Sequence, residues 1–260
     1  MENLFDLYGK KSYTFVIIMD ESKLYKKGDD TVLHYYFDPT YILVIIGIII
    51  SMAASANVNG SFRKYSRVLA RRGVRAEQAA ETILRNAGIY DVTIQHVSGN
   101  LTDHYDPRSK TLRLSDSVYG SSSVSAIGVA AHECGHAIQH DSGYVPLKLR
   151  GALVPVVNFA SRISMPMILL GLILGYAGIA QIGVILFAAV LIFQLVTLPV
   201  EFNASSRAIR VLGGANILYE DEVGAAKKVL RAAALTYIAS ALATALQLFR
   251  LILLTNRRRN

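Results

Sequence analysis

The chain of 260 residues has one cysteine, Cys134, and residues 163–200 hold no charged side chain. A lone thiol forms no intrachain disulfide, so the fold does not depend on an oxidising compartment. The missing charge says more. Those 38 residues are nearly the length of two tight membrane passes, since one pass takes about 20. Acidic residues are the scarcer sign, 19 against 27 basic, for a formal charge of +8. Most of the bases flank apolar runs, the placement that retains a loop at a cytoplasmic membrane face. That placement argues against a nucleic-acid partner. Residues 1–36 are polar and mixed in charge, without the apolar core of a secretory signal, and read as an appended tail. There is no internal repeat and no low-complexity segment.

What is present is apolar: 52% of the chain, which implies an integral membrane protein whose soluble part is about half its length. Residues 37–57 form the first expected transmembrane helix, with Pro39 in its first turn. The basic segment that follows, from Arg63 and Lys64 to Arg75, marks the cytoplasmic side and puts the amino terminus outside. Residues 58–162 are then the cytoplasmic catalytic region. Within it, 61–87 have helical spacing with Gly88 as a C-cap. Residues 90–97 and 101–105 alternate as strands around a Ser98-Gly99-Asn100 turn. A second turn at 106–110 leads to a strand at 111–115, and together these predict a small antiparallel sheet. Residues 163–200 are the transmembrane hairpin, with its turn expected between Gly178 and Gly183. It returns the chain to the face it left. A third-ligand helix region, 201–231, and a C-terminal membrane helix with a basic tail, 232–260, complete the chain.

The chemistry concentrates at Ala131-His132-Glu133-Cys134-Gly135-His136-Ala137-Ile138-Gln139-His140. On a helix over 124–140, His132 and His136 stack on one face, so two imidazoles can bind one zinc ion. Glu133 beside them is placed as the general base of a zinc hydrolase. Cys134 turns away from that face and reads as a small buried residue. His140 continues the series but lies about 12 Å along the axis from His132, too far to share the ion. A catalytic zinc takes three protein ligands, and the third is expected to be Glu201. A lone carboxylate directly after an apolar hairpin is costly to bury, and ligation removes that cost. The strand at 111–115 is expected to bind an extended peptide along its edge. His104, Tyr105 and Tyr144 stand as open alternatives for stabilising an oxyanion.

Three segments carry a resemblance: Phe37-Asp38-Pro39-Thr40-Tyr41, the histidine segment, and Pro199-Val200-Glu201-Phe202-Asn203-Ala204-Ser205. With these the chain resembles the YugP-type bacterial membrane zinc metallopeptidases over about residues 36–255. More distantly the site is similar to that of the HtpX and Ste24 type of membrane protease, where the glutamate ligand stands in Glu-x-x-Ala-Asp. Here Ser205 replaces the aspartate, so Asn203 or Ser205 is expected to make its contact to a ligating histidine. The resemblance implies a zinc-dependent peptidase in the bacterial plasma membrane, its active site facing the cytoplasm, acting on protein or peptide substrates beside the lipid bilayer. The fold class expected is a mainly α membrane protein with about four membrane-associated helices and a zincin-like cytoplasmic α+β part. The alternative is a membrane scaffold or adaptor that keeps a structural zinc site without turnover, which a fourth ligand from Cys134 or His140 would favour.

Overall fold

The computed structural model describes residues 38–257, so the 1–36 tail and the last basic residues lie outside it. Helix α1 spans Tyr41–Tyr65, α2 Ala76–Asn86, α3 Val124–Asp141, α4 Val145–Leu174, α5 Ala177–Gly214 and α6 Glu220–Arg257. Three strands, β1 (Thr93–Val97), β2 (His104–Asp106) and β3 (Thr111–Ser115), lie between α2 and α3. Among the described residues, α1, α4, α5 and α6 are the four helices long and apolar enough to cross a membrane. Ile42, Ile45, Ile49 and Met52 of α1 are exposed, a face that suits lipid and not water.

Helix α1 starts where Asp38 accepts hydrogen bonds from the Thr40 N–H (3.1 Å) and hydroxyl (2.6 Å), with Pro39 fixing φ between them. Its partner is α6, which runs antiparallel along it: a Cβ on Gly47 would lie 3.2 Å from that of Ala243, and Arg250 sits over the Tyr41 ring at 4.1 Å. That pairing runs α6 alongside α1.

The predicted helix over 61–87 is two helices. The segment between them gives its backbone hydrogen bonds to the loop before α3: Ala70 N–H donates to Ser122 O (2.8 Å), and Val124 N–H to Val68 O (2.9 Å). A continuous helix would have left those groups unpaired. Beyond the gap, α2 buries Ala76, Ala79, Ala80, Ile83 and Leu84, one helical stripe, against α3. Gly88, at φ +76°, ends it as expected.

The sheet is mixed, in the order β1-β3-β2, which corrects the antiparallel expectation. β1 pairs parallel with β3, and β2 pairs antiparallel with β3. Asp116 is the cause. Its N–H donates to Gly99 O (3.0 Å) and its carboxylate accepts from Gly99 N–H (2.8 Å), which draws the 98–103 loop across the end of β3. β2 therefore arrives on the far side of β3. The buried Leu112 and Leu114 suit β3 to this central place. A strand paired on both sides has no free edge, so the expected peptide edge at 111–115 is not there; the edge strands are β1 and β2.

The membrane hairpin turns at Gly175, in the left-handed region (φ +73°), and not between Gly178 and Gly183, which lie inside α5. Only glycine takes that C-cap conformation without a Cβ penalty. Gly183 instead lets α4 approach: a Cβ there would come within 2.6 Å of Ile168 Cγ1. The second arm continues unbroken through Pro199 and Glu201 to Gly214. At ~1.5 Å per residue, Glu201 lies roughly 36 Å along α5 from Ala177, just beyond a hydrocarbon core of ~30 Å. The hairpin so brings it against α3.

Candidate metal centre

Helix α3 is almost wholly buried, and its N-cap, Ser123, accepts from Ala126 N–H at 3.3 Å. It crosses α5 at Gly135, where a Cβ would sit 2.6 Å from the Ala204 carbonyl oxygen. Only a residue without a side chain permits that approach, and it brings the histidine face against Glu201. Glu201 Oε2 lies 3.2 Å from His132 Nε2 and 3.6 Å from His136 Nε2. The ligand atoms of the three residues all fall within 4.8 Å of one another. Two imidazole nitrogens and one carboxylate oxygen form the donor set of a catalytic zinc site with one position left for water.

Both rings are held from behind. His132 Nδ1 meets the Ser205 hydroxyl at 3.1 Å, so of the two residues expected to replace the aspartate, Ser205 does so directly. Asn203 acts one step away. Its Oδ1 accepts from Gln139 Nε2 (3.0 Å) and Arg207 Nε (2.8 Å), while Gln139 Nε2 also donates to Val200 O (2.8 Å). With its NH₂ so spent, Gln139 presents Oε1 to His136 Nδ1 at 3.0 Å. His136 must then carry its proton on Nδ1 and turn a lone pair on Nε2 toward the cluster. Gln139 is fully buried, and sequence reasoning missed it. Its position three residues after His136 was the available signal.

Glu133 is buried beside the cluster, and its Oε2 accepts from the Tyr105 N–H at 3.0 Å. Burial is the largest influence on its carboxyl group. Opposed by His132 and seconded by Asp103 and Glu201, it pushes the pKa up to about 7. Cys134 faces the other way: its thiol donates to Ala80 O at 3.6 Å, and burial raises its pKa. His140 Nδ1 pairs with the Tyr105 hydroxyl at 2.9 Å, outside the cluster. That bond ties the Tyr105 hydroxyl to His140. Tyr144 lies near Arg207 instead, and His104 lines the cavity with Nδ1 bound to Thr102 O. Sequence reasoning also missed Arg150, whose Nη1 donates to Glu201 Oε1 at 3.2 Å, and Tyr237 of α6.

The site opens into a cavity of about 390 Å³. One wall is β2 and the loop after it, with His104, Tyr105 and Arg108. The other belongs to the membrane helices, with Leu147, Val154, Val157, Phe193 and Leu230.

Residues 40–256 match the family model described as "Putative neutral zinc metallopeptidase". The chain is 45% identical over 212 residues to the "Putative membrane protease YugP" of Bacillus subtilis (strain 168), covering 82% of this chain and 94% of that protein. No solved structure matches it. A match of that extent to both, on a helical membrane scaffold that gathers a zinc-type donor set, makes this chain a member of the neutral zinc metallopeptidase family.

Proposed function

We propose that the chain is a membrane-embedded, zinc-dependent endopeptidase that hydrolyses peptide bonds of membrane or membrane-proximal proteins at the cytoplasmic face of a bacterial plasma membrane. The observation that carries this reading is the convergence of His132, His136 and Glu201 beside the buried Glu133. In it the first three hold the metal and Glu133 is the general base. When bound, zinc supplies the Lewis acidity that activates a water and polarises the scissile carbonyl. Glu133 takes the water's proton and delivers it to the leaving amine nitrogen. A carboxyl group with a pKa of about 7 can do both near neutral pH. The Tyr105 N–H fixes one oxygen of that carboxylate, which sets the direction of the other. Gln139 and Ser205 orient the two imidazoles.

A cavity with one polar wall and one wall of membrane helices suits a chain emerging from the bilayer. Arg63 and Lys64 in the last turn of α1, with Arg67, Arg71 and Arg72 after it, support a cytoplasmic orientation of that side. The scaffold reading gains nothing: Cys134 and His140 are both engaged away from the cluster. The test uses membrane vesicles of both orientations, with wild type and Glu133→Gln at equal zinc content and a soluble unfolded protein added outside. Cleavage is expected only from inside-out vesicles of the wild type. Cleavage by Glu133→Gln would remove Glu133 from the mechanism, and cleavage from right-side-out vesicles would reverse the orientation.

A further inference from the structure

The two oxygens of the Glu201 carboxylate do different things. Oε2 faces both histidines, while Oε1 accepts from Arg150 Nη1 at 3.2 Å. Glu201 is 2% exposed, so its charge is cut off from water and requires a cation close by. The ion pairs with His132 and His136 carry charge only when those rings are protonated. Among the described residues, Arg150 is then the one permanent cation in ion-pair contact with this carboxylate.

The register of the membrane hairpin sets that contact. Gly171 meets Ala180, each three residues from the ends that flank the turn, and Ile168 meets Gly183, each six away. Arg150 and Glu201 are each 24 away (174 − 150 and 201 − 177). The antiparallel pairing seen close to the turn therefore continues to the site, and it places a guanidinium across from the carboxylate at one depth.

We propose that Arg150 is the resident counter-cation and positioning residue of Glu201. It neutralises the buried carboxylate when no metal is present, and it occupies Oε1 so that Oε2 alone turns to His132 and His136. The second half rests on Glu201 being a ligand, as read above; the first does not. A bound divalent ion adds positive charge beside the carboxylate and shares the task, so Arg150 matters most to the metal-free protein. A site kept in register without its metal is ready to be loaded after folding.

The test is thermal unfolding in detergent, after chelation and after reloading with zinc. The variants are Arg150→Met, Arg150→Lys, Glu201→Gln and the double variant Arg150→Met/Glu201→Gln. Arg150→Met is expected to lower the metal-free midpoint by about 5–10 °C, the scale of an uncompensated buried charge, and the zinc-loaded midpoint by less than half as much. Arg150→Lys recovers at least half of the loss. In the Glu201→Gln background the same change to methionine costs nothing, because no charge remains to compensate. Equal losses with and without zinc, or a loss that persists in the Glu201→Gln background, overturn the proposal and make Arg150 a packing residue. If Arg150→Met alone does not fold, recovery of folded protein in the double variant supports the proposal and failure to recover overturns it. Zinc titration of Glu201→Gln separates the two readings: wild-type affinity there would end the assignment of Glu201 as a ligand and, with it, the positioning half.

Discussion

His132 and His136 are each fixed by a neutral partner, a serine hydroxyl and a glutamine carbonyl oxygen, while the nearest permanent charge is assigned to the carboxylate. Neutral acceptors set the ring tautomer without adding negative charge behind the metal. Gln139 is the more demanding of the two, because its amide satisfies three partners inside a fully buried environment. Gln139→Leu strips His136 of that orientation and removes the side-chain donor to Val200 O and Asn203 Oδ1. Zinc affinity, measured by chelator competition, is expected to fall about 10–100-fold with the helices intact by circular dichroism. Unchanged affinity would mean that the His136 ring is oriented by packing alone. The histidines, Glu133 and Glu201 were legible one residue at a time, because each follows from a chemical requirement stated locally. Gln139 and Arg150 were not. The partners that fix them, Val200 for Gln139 and Glu201 for Arg150, stand 61 and 51 residues away, and only the spacing of Gln139 to His136 was visible locally.

The element that decides the site's geometry is the crossing of α3 and α5. Gly135 lies inside the histidine motif with no role in its chemistry, yet a Cβ there would press into the Ala204 backbone. Gly135→Ala must push the two helices apart by a few tenths of an ångström or more, an overpacking cost of about 1–3 kcal/mol. The same shift moves Glu201 off the two imidazoles. The expected result is a lower unfolding midpoint together with reduced zinc occupancy. Gly128→Ala, whose added Cβ meets that of Ala226 at 3.3 Å, serves as a milder control. Equal zinc retention in both variants would disconnect this crossing from the site. At this scale the hairpin was readable from its uncharged length, but its turn was not. Gly175, Gly178 and Gly183 look alike as letters, and what separates them is that Gly175 takes a positive φ while Gly183 packs against Ile168. The sheet was misjudged for a comparable reason: Ser98-Gly99-Asn100 has turn composition, but Asp116 recruits it to the end of β3.

As a whole molecule, the chain is a membrane protein whose candidate metal centre stands on its long apolar helices. The histidine helix is rooted between α2, α5 and α6, and the third candidate ligand belongs to the unbroken return arm of a hairpin. Two chain segments 65 residues apart (201 − 136) thus meet at one point, and the length of the uncharged stretch decides whether they do. On the reading proposed above, this meeting makes a single zinc site. Zinc K-edge X-ray absorption on the purified chain carrying one equivalent of zinc examines it directly. Only nitrogen and oxygen ligands are expected, at about 2.0–2.2 Å, with outer-shell scattering from two imidazoles. A sulfur shell at about 2.3 Å, which would draw in Cys134, or the signature of a single imidazole, would contradict it.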